Sequence, residues 1–173
     1  MLAIYKKELR AYFTSVIGWM FLAFFLAFVG LYVFLYNFLK GEAFIGYALA
    51  QVSLIFALLV PMVTMRSMAA EKKQKTDQLL LTSPVSIWKI VMGKYFALVT
   101  LIGIAMLAVC VYPLIFAKYG VINFPMSYGA IFGFFLIGCA YFAIGLFISS
   151  ITDSQAFAAV MTFIVVLITT LID

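Results

Sequence analysis

The chain has 173 residues, of which 68% are hydrophobic and 10% are charged, and its formal net charge is +5. Soluble domains carry about 25% charged residues, so the composition excludes a soluble globular protein and indicates an integral membrane protein. The sequence contains no histidine, which removes the commonest metal ligand and acid–base group.

The first thirteen residues, MLAIYKKELRAYF, form an amphipathic pattern. At helical spacing the larger apolar side chains fall near one side and the cations fall largely on the other. This pattern predicts a helix that lies along the cytoplasmic membrane interface, with its cations near anionic headgroups. A positively charged flank that simply extends the first span is the alternative. The residues assigned to the interface are Tyr5, Lys6, Lys7, Leu9, Arg10 and Tyr12.

Five apolar stretches are long enough to cross a hydrocarbon core, which needs about 20 residues of helix. They cover residues 17–36, 44–65, 95–117, 127–148 and 155–172. A β-barrel would show segments of about 10 residues that alternate between apolar and polar, and these stretches do not alternate. The sequence therefore predicts an all-α integral membrane protein with one transmembrane domain over residues 1–173.

The basic residues predict the orientation of the chain. If the N-terminus is cytoplasmic, only Lys40 and Lys118 fall on the outer side, and nine lysines and arginines fall on the inner side. Cytoplasmic loops carry the excess of such residues. We therefore expect a multi-pass protein of the inner (cytoplasmic) cell membrane with its N-terminus inside. The nine inner residues are Lys6, Lys7, Arg10, Arg66, Lys72, Lys73, Lys75, Lys89 and Lys94.

A polar segment, KKQKTDQLLLTSPVS, interrupts the apolar sequence within a predicted cytoplasmic loop over residues 66–90. Thr76 is suited to cap a short helix, and Asp77 would place a negative charge in its first turn, where the helix dipole favours it. Ser83 and Pro84 then form a typical start for the next helix. The segment therefore predicts a short cytoplasmic helix between two long ones.

Three consecutive leucines lie on this short helix. At about 100° per residue they cover roughly 200° of its circumference, so one membrane face cannot bury all three. We therefore predict that the helix docks on a cytoplasmic protein, and a loop that rests on the bilayer is the alternative. The residues assigned to the docking contact are Thr76, Asp77, Gln78, Leu79, Leu80, Leu81, Thr82, Ser83 and Pro84.

Glycines recur along the fourth predicted span. Gly129 and Gly133 form a small-xxx-small pattern, which permits close approach of two membrane helices. Gly138 and Gly145 are expected to continue the glycine-bearing side. Helix packing within the subunit is the predicted use of these positions, and a seam between two subunits is the alternative.

Three stretches of the sequence resemble the permease subunits of ABC-2 type ABC transporters: YKKELRAYFTSVIGWMFL, PMVTMRSMAAEKKQKTDQLLLTSPVSIWKIVMGKYFA and LFISSITDSQAFAAVMTF. The chain is most similar to the small permeases of gliding-motility and copper-processing systems. In that family an elbow helix precedes six spans, and a coupling helix between the second and third spans docks on the ATPase. The resemblance implies that residues 1–13 are the elbow and residues 76–84 the coupling helix.

The resemblance also implies the function and the partners. We expect an exporter permease that assembles with a second permease, as a homodimer or a heterodimer, and with separate ATPase subunits that use the ATP. Members continue with a re-entrant hairpin and a sixth span, whereas this sequence ends at VVLITTLID, so we expect the sixth span to be lacking. A non-transporting membrane anchor or assembly subunit is the alternative function.

No chemistry of its own is expected for the chain. The apolar centres of the five predicted spans hold no ionisable residue, which argues against a proton or ion relay. The sequence also lacks the HExxH, P-loop and G-x-S-x-G motifs of common enzymes. We therefore expect no catalytic residue, no bound metal or cofactor and no nucleic acid, with membrane lipid as a further contact.

Overall fold

The structure, a computed structural model, describes residues 2–41, 44–65, 87–118, 123–152 and 154–172. All regular secondary structure in these ranges is helical, which confirms the predicted all-α membrane fold. The elements are α1 (Leu2–Thr14), α2 (Val16–Val33), a π-helical segment (Phe34–Leu39), α3 (Gly46–Thr64), α4 (Ile87–Val109), α5 (Val111–Phe116), α6 (Phe124–Ile151) and α7 (Gln155–Ile172).

Among the described residues, four helical segments are long and apolar enough to cross a membrane: Val16–Leu39, Gly46–Thr64, Trp88–Phe116 and Phe124–Ile151. Each overlaps one of the first four predicted spans, and the helix of the third extends before residue 95, as the helix start predicted at Ser83 and Pro84 requires. The last helix, α7, is apolar but shorter. Its 18 residues extend about 27 Å at 1.5 Å per residue, so its crossing of the membrane stays a prediction.

Two breaks in the long helices have local causes. The π-helical segment stops where Gly41 adopts a φ of +74°, a left-handed conformation that glycine accepts without steric cost and that commonly ends helices. The third long segment divides into α4 and α5 at Cys110. Pro113 lies three residues further on and has no N–H for the carbonyl of Val109, so the regular ladder of hydrogen bonds is interrupted there.

The helices pack around α3, which contacts α2, α6 and α7. Helix α4 lies on the other side of α2 and α6 and also contacts α1. The Tyr95 hydroxyl donates to the Cys139 carbonyl at 3.3 Å and the Tyr128 hydroxyl donates to the Cys110 carbonyl at 3.5 Å, so α4 and α6 run in opposite directions. The rings of Phe38 and Phe116, with centroids 5.5 Å apart, place the ends that lead to Lys40 and Lys118 together. Helix α1 lies at the opposite end of the bundle.

Aromatic rings fill the centre between α2, α3 and α6. The fully buried Phe56 of α3 has its ring centroid 5.7 Å from that of Phe25 in α2 and 5.3 Å from that of Phe134 in α6. Phe21 and Phe142 complete the cluster at 6.3 and 6.0 Å from Phe56. These separations lie in the range that aromatic pairs favour. The aromatic core therefore joins three membrane helices through apolar contacts alone.

Candidate functional site

The polar segment that the sequence singles out, residues 76–84, lies outside the described residues. The structure does describe the two helices that flank it, because α3 ends at Thr64 and α4 begins at Ile87. Both of these ends lie at the same end of the bundle as α1. The candidate site therefore consists of the end of α3, the start of α4 and the residues of neighbouring helices that contact them.

The end of α3 is held by close packing against α6. Thr64 is fully buried, and its hydroxyl donates to the Val60 carbonyl at 3.0 Å. A Cβ placed on Gly145 of α6 would lie 2.7 Å from both Oγ1 and Cγ2 of Thr64, which is shorter than van der Waals contact. A glycine at this position is therefore what allows the two helices to approach.

The start of α4 is held by a buried ion pair with α1. Lys94 lies two turns into α4, and its side chain is only 1% exposed, while that of Glu8 is 11% exposed. Lys94 Nζ lies 3.3 Å from Glu8 Oε1. Charged side chains are almost never this buried unless they are paired, so the two residues form a specific contact between the helices.

Two further contacts run along the same line between α1 and α4. The hydroxyls of Tyr5 and Thr100 form a hydrogen bond of 2.9 Å. Gly93 lies against Ile4, since an added Cβ would meet Ile4 Cγ2 at 3.0 Å and the Tyr5 nitrogen at 3.4 Å. We call this set of contacts, together with Glu8 and Lys94, the α1–α4 joint.

The residues predicted for the interfacial helix divide between two faces of α1. Lys6, Lys7 and Arg10 are exposed and line a shallow groove, whereas Tyr12 is buried at 4% exposure. Tyr5 and Leu9 are partly buried. The apolar face therefore packs on the protein, and the cations point away from it. Whether the cations contact lipid headgroups stays a prediction.

The connection from α1 to α2 is also close. Ser15 is extended, with φ −98° and ψ 147°, and separates the two helices. Gly18 approaches the Tyr12 carbonyl so closely that an added Cβ would overlap it. Trp19 Nε1 donates to the Phe13 carbonyl at 2.8 Å, and the Trp19 ring meets the Phe13 ring edge to face. The angle between α1 and α2 is therefore fixed on both sides of the turn.

The four glycines of α6 do not share one side, which corrects the expectation from the sequence. At about 100° per residue, the nine positions from Gly129 to Gly138 place these two glycines on opposite sides. An added Cβ at Gly138 would overlap Ile102 and lie 3.3 Å from Phe56. Around Gly129 and Gly133, no described atom lies within 4 Å of such a Cβ. Their use, within the subunit or between subunits, stays a prediction.

The pairing of Glu8 with Lys94 was not predicted from the sequence. Lys94 was counted among the cations of the cytoplasmic side, whereas in the structure its side chain is buried between α4 and α1. One signal was available, because Glu8 lies four residues after Ile4 and four before Tyr12, on the inner face of α1. A carboxylate on that face needs a buried cation as its partner. Nothing in the sequence indicates which cation that is.

An apolar groove lies beside the joint, between the start of α4 and the end of α6. It encloses about 620 Å³. Its lining is largely apolar and aromatic, with Tyr95 and Ser150 as polar members: Trp88, Val91, Met92, Tyr95, Ala143, Leu146, Phe147 and Ser150. Gly145, which meets Thr64, does not line the groove and lies on another face of α6.

Comparison with known families assigns the chain. A family model described as ABC-2 family transporter protein matches residues 35–172, which is most of the sequence. The chain belongs to this family. The resemblance stated from the sequence is thereby confirmed, and the protein is a multi-pass membrane component of an ABC-2 transporter. No match was found among curated proteins or among solved structures.

The matched region contains only one side of the α1–α4 joint. Residues 35–172 include Lys94 and Thr100, whereas Glu8 and Tyr5 precede them. The joint therefore attaches the N-terminal helix of this permease to the part of the chain that the family model describes.

Proposed function

We propose that this chain is the transmembrane permease subunit of an ABC exporter, driven by a separate cytoplasmic ATPase that docks on residues 76–84. Family membership over residues 35–172 is the observation that carries the proposal. The matched region includes both helices that flank residues 66–86, α3 and α4, and their ends lie at one end of the bundle. Movement imposed on that segment would reach both helices directly.

The protein is proposed to lie in the inner (cytoplasmic) cell membrane, with its N-terminus in the cytoplasm. If the buried Lys94 is left out, the count of cations becomes eight on the inner side and two on the outer side, which still favours this orientation. Lys40 and Lys118 lie at the end of the bundle opposite α1, in agreement with it. The proposal is tested by labelling single introduced cysteines from outside intact cells, after replacement of Cys110 and Cys139. Labelling of a cysteine at position 74 (Gln74) but not of one at position 118 (Lys118) would contradict it.

The proposed assembly contains two permeases, identical or different, and two ATPases that use the ATP. The permease itself binds no cofactor in this scheme. The exposed cations of α1 are proposed to contact anionic lipid, to which each basic residue near the surface contributes roughly 1 kcal/mol. Replacement of Lys6, Lys7 and Arg10 by glutamine should then weaken the hold of α1 on anionic lipid, and spin-label depth measurements that find this segment fully solvated before and after the change would contradict the lipid contact.

The proposed docking contact is apolar at its centre and polar at its rim. Leu79, Leu80 and Leu81 would enter a groove on the ATPase, where each buried leucine contributes a few kcal/mol at most. Thr76, Asp77 and Gln78 would set the register through hydrogen bonds. A charge placed among the leucines would be costly to bury without a partner, and this cost makes the contact testable.

The experiment compares Leu80→Asp with Lys72→Ala, which lies on the same segment but outside the proposed contact. Each variant is purified with the cognate ATPase, and the stimulation of ATP hydrolysis is measured in lipid. We expect Leu80→Asp to lose both binding and stimulation and Lys72→Ala to retain both. Full binding and stimulation by Leu80→Asp would refute docking through this segment. Binding by the wild type without stimulation would instead favour an anchoring or assembly role.

A further inference from the structure

The α1–α4 joint contains a charged pair where an apolar contact would hold two helices equally well. Removing two charges from water is costly, and replacing a buried pair by apolar residues of similar volume is often neutral or stabilising. Stability alone therefore does not explain why Glu8 and Lys94 face each other at 3.3 Å. Breaking a buried pair is strongly destabilising, however, because it leaves uncompensated charges, so the pair favours relative positions of the helices that keep the two groups together.

The other contacts of the joint fix the same relative position. The hydrogen bond between Tyr5 and Thr100 lies on one side of the ion pair along α1. Next to it along α1, the side chain of Ile4 packs against Gly93. A shift of α1 by one turn would move each partner about 5.4 Å and would break all three contacts. The joint therefore permits one register between α1 and α4.

Helix α1 is fixed equally closely at its other end. Gly18 meets the Tyr12 carbonyl, and Trp19 bonds to the Phe13 carbonyl at 2.8 Å. Helix α1 thus has a specific attachment to α4 and another to α2. These two spans also touch each other, but α1 joins them at the end of the bundle next to residues 66–86.

We propose that α1 is a strut that makes α2 follow α4, with Glu8 and Lys94 as the positioning residues that join the strut to α4. The inference rests on the proposed function, in which the ATPase moves the segment that leads into α4. When α4 moves, the ion pair carries α1 with it, and the closely packed turn at Ser15 carries the start of α2. The first and third spans then respond as one unit.

Distance measurements between spin labels test the joint directly. The labels are placed at Ala11 of α1 and Phe96 of α4, which are both exposed, in a protein whose two cysteines are replaced. We expect one narrow distance distribution in the wild-type permease, alone and in complex with its ATPase. The distribution should keep the same centre when the complex is trapped with a non-hydrolysable ATP analogue, because α1 and α4 move together.

Three variants separate positioning from folding. Glu8→Lys should broaden the distribution, and the exchange Glu8→Lys with Lys94→Glu should narrow it again. The double variant Glu8→Leu with Lys94→Met leaves no unpaired charge and should fold and assemble, but its distribution should be broad. Per assembled complex, its stimulation of ATP hydrolysis should fall at least about fivefold, the lower end of coupling between sites. The charge exchange should restore most of that stimulation.

Two results would overturn the strut. One is a narrow distribution and full stimulation in Glu8→Leu with Lys94→Met, because apolar packing would then hold the joint. The other is a wild-type distance that changes on trapping with the ATP analogue, because α1 would then move independently of α4. A wild-type permease that does not bind the ATPase would overturn the proposed function as well, and the measurements on the permease alone distinguish that failure from a failure of the joint.

Discussion

The α1–α4 joint and the aromatic core hold helices together by opposite means. The joint uses a charged pair and a hydroxyl pair at the end of the bundle, between Glu8 and Lys94 and between Tyr5 and Thr100. The core uses phenyl rings around Phe56 and, within this cluster, no polar group. The charged pair and the ring of Phe56 are both buried, so exposure does not distinguish them.

The difference shows that, inside a bilayer, one region can hold helices together while another sets their relative position. Lipid tails are as apolar as phenylalanine, so the aromatic core gains little from leaving its surroundings and is held by close packing. Packed rings tolerate small rotations, since several edge-to-face arrangements are similar in energy. A buried ion pair tolerates little movement, because separating its partners leaves both charges uncompensated. The core therefore keeps α2, α3 and α6 together, whereas the joint sets the register of α1 against α4.

The largest expected effect is that of removing one charge from the joint. Lys94→Met keeps about the same side-chain length but leaves the buried Glu8 carboxylate without the ammonium group of Lys94. Breaking a buried pair in this way costs about 3–5 kcal/mol, so the free energy of unfolding in mixed micelles should fall by that amount. Adding Glu8→Leu to the same protein should recover most of the loss. A single variant as stable as the wild type would mean that the pair is not buried in solution.

The second effect tests the core. Phe56→Ala would open a cavity between the four phenylalanine rings that surround it, with the Tyr141 ring as a further neighbour 6.3 Å away. In water-soluble proteins such a change costs about 3–5 kcal/mol, of which part is the transfer term. Because the separated helices remain in lipid, mainly the cavity term applies, and we expect a loss of about 2–3 kcal/mol in the same unfolding measurement. Phe24→Ala is the matched control, since Phe24 is 46% exposed on the same helix as Phe25. Equal losses in both variants would show that the ring cluster is not the centre of packing.

The third effect compares glycines of one helix. Gly145→Ala would press a methyl group against the side chain of Thr64, which is β-branched and bonded to its own helix, and overpacking of this kind costs about 1–3 kcal/mol. Gly138→Ala should cost less, because the Ile102 side chain that it meets can move. Gly133→Ala faces open space within the subunit and should leave the free energy of unfolding unchanged. The reverse order would contradict the packing of α6 on α3.

The apolar stretches were enough to predict the helical class and the four long segments. The third apolar span was predicted from residue 95, within a helix predicted to start near Ser83 and Pro84, because Lys89 and Lys94 interrupt the apolar sequence and hydropathy treats every cation as solvated. The structure instead buries Lys94 against a carboxylate far away in the sequence. Hydropathy has no means of recognising a charge that is neutralised by a distant partner.

The glycines show a second limit of the same kind. Gly129 with Gly133 and Gly138 with Gly145 are pairs of glycines about one and two helical turns apart, yet only the second pair lies against neighbouring helices of the described chain. Which side of α6 faces α3 depends on the rotation of the whole helix. That rotation is set by Phe134 and Phe142, which meet Phe56 on the inner side.

The smallest expected effect separates the two polar contacts of the joint from each other. Tyr5→Phe removes the hydrogen bond to Thr100 but keeps the ring, so no cavity forms. Hydrogen bonds between membrane helices contribute about 0.6 kcal/mol on average, and we expect a loss of that order in the free energy of unfolding. Tyr47→Phe is the control, because Tyr47 is 52% exposed. A loss for Tyr5→Phe as large as that for Lys94→Met would mean that the hydroxyl pair, and not the ion pair, sets the register. In the Tyr5→Phe protein, the addition of Thr100→Val should cost nothing further, since the Tyr5 hydroxyl that bonds to Thr100 is already absent.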